Sequence, residues 1–197
     1  MPRILDLDPP ARQVRTLLDG ISDDQLAART PCEEYVVGDL LDHMMGLTLA
    51  FREAATKSTG ETNQAGPARP SAANLDPEWR SILPGRLEEL VAAWRDPDAW
   101  EGTTAAGGAT LPADVMGMVA VDELVLHGWD LARSTGQPFA CDPESTQACF
   151  EFTTMSSQPG EEAGREGLFG PVVEVPADAP LLDRALGLSG RDPSWTA

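Results

Sequence analysis

The chain contains two histidines, and both stand inside apolar helical patterns. His127 lies in "DELVLHGWDLA", four residues after Glu123, and His43 lies in "GDLLDHMMGL". On a helix, positions four apart share a face, with Cβ atoms about 6 Å from one another. One helix therefore offers a carboxylate and an imidazole to a single ion, and a neighbouring helix can add His43. Two imidazoles and one carboxylate leave coordination positions open. This is the ligand set of catalytic zinc in hydrolytic sites and of the non-haem iron facial triad. The spacing alone is a weak signal. With 32 acidic residues in 197, an acid four before a histidine arises by chance about one time in six. Asp39 also stands four before His43, where an acid in a first helical turn complements the helix dipole. From the residues alone, core-edge or surface histidines are the simpler reading.

The elements that must position these groups follow from periodicity and caps. Val14, Leu17, Leu18 and Ile21 predict a helix from about residue 9 to Gly20, with Pro10 at an early helical position. Ser22, Asp23 and Asp24 suit the cap of a short helical piece. A second helix runs from about 37 to 57 on Leu40, Leu41, Met44, Leu47 and Phe51, and His43 borders its core face. Residues 58–77 hold almost no large apolar side chain and read as a flexible loop, the most mobile interior segment. A third helix covers about 77–94, with Pro84 expected to kink or split it. The stretch "RDPDAWEGTTAAGGATLPA" reads as a loop. A fourth helix spans about 112–134, apolar on more than one face and hence central, with Gly136 as its stop. Asp142-Pro143-Glu144 opens a fifth. The last forty residues mix a loop, a short extended piece and a short helix. The fold class expected is all-α: a four-helix bundle with an additional C-terminal helix and an irregular tail, one domain over 1–197.

Composition narrows the partners. The net charge of -18 opposes binding to nucleic acid or to anionic membranes. No apolar run reaches the ~18 residues of a membrane span, and no secretory signal is visible at the N-terminus. A cytoplasmic protein is expected. Cys32, Cys141 and Cys149 have no metal-type spacing and read as free structural thiols.

The segments "TPCEEYVVGDLLDHMMGL", "VDELVLHGWDLARSTGQPF" and "LFGPVVEVPADAPLLDRALGLSGRDPSW" resemble an actinobacterial family of small proteins. That family is similar to the metal-binding N-terminal domain of mycothiol-dependent maleylpyruvate isomerase, within the DinB-like four-helix superfamily. The resemblance covers about residues 9–195, and E-x3-H-G-W-D-L-A is its most specific part. It implies a DinB-like bundle holding a divalent metal on His43, Glu123 and His127. Zinc is the metal expected, with nickel or iron as alternatives. It also implies a low-molecular-weight thiol, mycothiol or one like it, as co-substrate, because a thiol on a divalent ion is deprotonated near neutral pH. The isomerase carries a further C-terminal domain that contributes to its active site, and the residues after 160 are too few to replace it. The expectation therefore stops short of maleylpyruvate isomerisation itself.

Three functions are compatible with these features. The first is a thiol-dependent transferase or isomerase acting on small molecules. The second is a non-catalytic metal-binding or regulatory module, or a hydrolase whose metal activates water. The third is a scaffold whose helices serve a homodimer. No residue is assigned a catalytic role. Asp130, three after His127, is placed to accept the imidazole N–H and fix its tautomer, although a solvated helix residue is an equal reading. Trp129 and the methionines Met44, Met45, Met116 and Met118 read as packing. Arg52 and Arg133 read as surface ion-pair partners.

Overall fold

In the computed structural model, residues 3–58, 69–160, 165 and 167–197 are described. Helix α1 (Asp8–Asp19) carries prolines at its start and buries Val14, Leu17 and Leu18. After it, Ser22 opens a 3-10 turn over Asp23–Ala27, its N–H donating to Gln25 Oε1. Helix α2 (Val37–Ala55) buries the predicted stripe from Leu40 to Phe51. Asp39 does more there than face the dipole: one carboxylate oxygen accepts the Val36 N–H and the other the Ala72 N–H. Asp42 accepts the Ser71 N–H in the same way. Residues 59–68 of the loop expected to be mobile lie outside the described residues, and the part following Pro70 is tied to α2 by these carboxylates.

Helix α3 (Trp79–Trp94) runs unbroken through Pro84. The proline removes one intrahelical bond, yet Leu83, Leu87 and Leu90 are buried around it and hold the helix against its neighbours. Arg86 donates to the Met45 carbonyl and so joins α3 to α2. Helix α4 (Ala113–Thr135) is buried on almost every face and ends at Gly136 in the left-handed conformation, as predicted. Around the bundle α1 packs on α3 and α4, and α2 packs on the same two helices. Every one of the four therefore has two neighbours, and the apolar stripes close on one core.

The segment read as a loop before α4 is structured. Pro97–Trp100 form a 3-10 turn, and Thr103–Ala106 (β1) pairs antiparallel with Ala109–Pro112 (β2). Gly107 and Gly108, both at positive φ, make the two-residue turn that a twisted hairpin requires. The hairpin escapes a hydrophobic reading because its eight strand residues include only one large apolar side chain, Leu111. Thr104 donates to the Ala54 carbonyl and satisfies an acceptor that the end of α2 would leave open. Beneath it, Trp94 and Trp100 meet edge to face at 4.9 Å, each indole N–H bound to a backbone carbonyl.

Helix α5 (Pro143–Met155) starts on Asp142, whose carboxylate accepts two backbone N–H groups. It packs on α4 and on helix α6 (Leu181–Leu188). No helix among the described residues is long and apolar enough to cross a membrane.

Gly117 shows how tightly α4 is held. A Cβ there would fall 2.4 Å from the Trp100 ring and 2.9 Å from that of Trp94, and both rings are fully buried. Gly117→Ala is expected to destabilise the fold by about 1–2 kcal/mol net, because overpacking two buried rings outweighs a gain of roughly 1 kcal/mol in helix propensity. Urea unfolding measures it; a variant as stable as the parent would contradict this packing.

Candidate metal centre

Rotation of the helices decides where the polar groups point. On α2, Leu40, Leu41 and Met44 are fully buried and turn the adjacent His43 toward α4. On α4, Leu124, Val125 and Leu131 are equally buried, and the face between them presents Glu123 and His127. His127 Nε2 lies 2.9 Å from Glu123 Oε2, and His43 Nε2 lies 3.7 Å from the same oxygen. The imidazoles meet edge to face with centroids 4.9 Å apart. One ligand atom from each of the three residues lies within 4.8 Å of the others. Small side-chain adjustments bring such a set to the ~2 Å bonds of a single ion. The side chains of His43 and Glu123 keep 22% and 21% of their exposure, so solvent reaches one side of the cluster.

Behind His127 the site is closed and charged. His127 Nδ1 is 3.1 Å from Asp130 Oδ2, and Asp130 is wholly buried. Arg191 grips that carboxylate with two bonds, Nε to Oδ1 at 2.9 Å and Nη2 to Oδ2 at 2.8 Å, and its Nη1 donates to Ser189 Oγ. Burial pulls the His127 pKa down, but Asp130 and Glu123 outweigh it and raise it to about 9. Burial likewise acts to raise the acids, yet the imidazoles hold Glu123 well below the usual carboxylate range, and Arg191 with His127 lowers Asp130. Two carboxylates, Glu123 and Asp130, thus flank His127, and Arg191 supplies a second positive partner to Asp130. Spacing made His43, Glu123, His127 and Asp130 candidates, the family resemblance implied the first three as ligands, and the structure brings all four together.

Two neighbours carried no signal of their own. Arg191 sits in "SGRDPSW", far along the chain, and only the need of a buried Asp130 for a counter-charge points to it. Tyr35, the chain's single tyrosine, places its ring 6.0 Å from His43. Trp129, Met44, Met45 and Met116 are core residues, and Met118 packs against that core. Arg52 pairs with Glu89 as expected of a surface arginine. Arg133 does not: it donates to the Pro193 carbonyl and lies over the Trp129 ring, because the tail covers this part of α4. All three cysteines are free thiols. Burial pushes Cys32 up, Cys141 to about 11 and Cys149 well above the ordinary range, so none is a ready thiolate.

A four-helix bundle with two imidazoles and a carboxylate converging from adjacent helices defines a class, and comparison with known proteins agrees. Residues 7–132 match the sequence model of the mycothiol maleylpyruvate isomerase N-terminal domain, and the chain belongs to that family. Two uncharacterized proteins of Mycobacterium tuberculosis, from strains H37Rv and CDC 1551, are each 30% identical over 139 residues, covering 65% of this chain. The chain spans 64% of the length of these relatives. The crystal structure of the mycothiol-dependent maleylpyruvate isomerase superposes with a TM-score of 0.56 at 16% identity, over 78% of this chain and 71% of that one. A histidine-to-alanine variant of that isomerase gives 0.51 over the same shares. At this identity the likeness establishes the shared fold.

Asp122, beside Glu123, is buried near the Cys149 thiol of α5, and its Oδ1 has no hydrogen-bond partner among the described residues. Burial raises its pKa from 3.8 to about 7. Between pH 4 and 7 the unfolded chain ionises this carboxyl while the folded chain keeps it protonated, so stability falls as pH rises through that window. Asp122→Asn removes the penalty. In metal-free protein the variant is expected to match the parent near pH 4 and to exceed it by roughly 1–3 kcal/mol at pH 8. Denaturant titrations at the two pH values check it, and an equal difference at both would contradict a buried neutral acid.

Proposed function

We propose that the chain, as one unit over residues 1–197, binds a divalent cation through His43, Glu123 and His127. With that ion held, the site would serve a low-molecular-weight thiol, mycothiol or one like it, in an isomerase or transferase reaction on a small molecule. The observation that carries this reading is the convergence of the three ligand atoms beside a solvent-reachable opening. The donor set fits: two imidazoles and a carboxylate suit zinc, with nickel and iron also served by such ligands. A divalent ion held there supplies Lewis acidity, which lowers the pKa of a ligating thiol into the neutral range.

The chain's own residues prepare this chemistry. Glu123 contributes the one anionic ligand. Asp130 accepts the Nδ1–H of His127, which leaves Nε2 free to face the ion. The buried wall formed by α2 and α4 excludes water from behind, while the side of His43 and Glu123 admits a thiol. The sulfur chemistry then falls to the co-substrate, in accord with the raised pKa values of the chain's cysteines. Membership of a family named for a mycothiol-dependent isomerase supports the choice of thiol. A reducing cytoplasm suits both that co-substrate and the free cysteines.

His127→Ala is expected to abolish zinc binding in an assay on untagged protein, since two remaining side chains rarely hold the ion. Zinc bound by this variant at parental affinity would remove His127 from the ligand set. In cobalt-substituted parent protein, added mycothiol is expected to produce a sulfur-to-metal charge-transfer band that His127→Ala lacks. If no small thiol produces the band, the site serves a non-catalytic module or activates water.

A further inference from the structure

We infer that Arg191 is a positioning residue for His127, and that the C-terminal segment carrying it is a working part of the metal centre. The inference rests on the proposed metal site for its consequence but on hydrogen bonds alone for its geometry. Asp130 offers His127 a single oxygen, Oδ2, and a carboxylate held by that one contact can swing. Arg191 removes the freedom with a planar two-point grip on Oδ1 and Oδ2. The imidazole ring is thereby set through the chain Arg191–Asp130–His127.

Arg191 is aimed by a helix cap. At the end of α6 the Arg191 N–H donates to the Leu186 carbonyl and the Gly190 N–H to that of Gly187. With Gly190 at φ +86, this is the glycine-based stop that reverses the chain. A Cβ at Gly190 would fall 2.8 Å from the Gly170 backbone, so the reversal is held from outside as well. Two residues on, the Pro193 carbonyl accepts from Arg133 of α4. The tail is thus held on both sides of the guanidinium, by the cap of α6 before it and by α4 after it. Stability alone does not explain the arrangement, because apolar side chains of similar volume usually serve as well as a buried ion pair. A fixed carboxylate beside a ligand imidazole is what the apolar alternative lacks.

The test compares Arg191→Ala, Arg191→Lys and the double variant Asp130→Leu/Arg191→Met with the parent. The double variant carries no unpaired buried charge and is expected to fold. In metal-free protein, the Nδ1–H of His127 is expected as a slowly exchanging downfield imidazole resonance, lost in Arg191→Ala and in the double variant. Zinc affinity, read by competition with a chromophoric chelator, is expected to fall about 10- to 100-fold in both. Lysine, a point charge without the planar fork, is expected to restore part of each. Persistence of the resonance in Arg191→Ala, or parental zinc affinity in a folded double variant, would overturn the inference. If the parent takes up no zinc while Arg191→Ala still loses the resonance, the positioning role stands and the metal reading falls.

Discussion

A charged group inside a protein must be neutralised, paired or let out to water, because desolvation costs several kcal/mol per ion. Helix α4 imposes this demand repeatedly, since it is buried on almost every face and carries Asp122, Glu123, His127 and Asp130 through the interior. Each is met differently. Asp122 gives up its charge against Cys149. Glu123 sits at the rim between two imidazoles. Asp130 is matched by Arg191 from the far end of the described chain. The surrounding architecture can be understood as what these solutions need: α2 to bring His43, α5 to cover Asp122, and α6 with its tail to deliver the guanidinium.

That division explains what could be read in advance. The helices announced themselves through apolar stripes and terminal residues, as in Asp142-Pro143-Glu144 and Gly136, where local chemistry and tertiary packing agree. Spacing made His43, Glu123, His127 and Asp130 candidates only, since acids are common in this chain, and the resemblance carried by E-x3-H-G-W-D-L-A was needed to prefer them. Arg191 could not be picked out, because nothing local distinguishes it from a surface arginine. Arg133 was misread for the same reason: its burial comes from a tail that joins α4 only in three dimensions. The hairpin before α4 lacked the Val, Ile and aromatic residues that make a strand stand out, and only its threonines and Gly107-Gly108 hinted at it.

The family match ends at residue 132, whereas the contacts that fix His127 reach to residue 191. The bundle supplies the three converging side chains, and the segment beyond it holds the carboxylate that faces His127. Proteins sharing the bundle can therefore differ in how firmly their imidazole is set without any change in the three converging residues.

Asp130 and Arg191 are 61 residues apart in sequence, and contacts of such separation form late because the intervening loop must close first. A chain made from its N-terminus presents α2 and α4, with both histidines and Glu123, before Arg191 has been added. Until Arg191 arrives, the His127 ring is still free to turn. The imidazole is set only once the tail has been translated and docked, so the order of the chain decides when this cluster acquires its geometry.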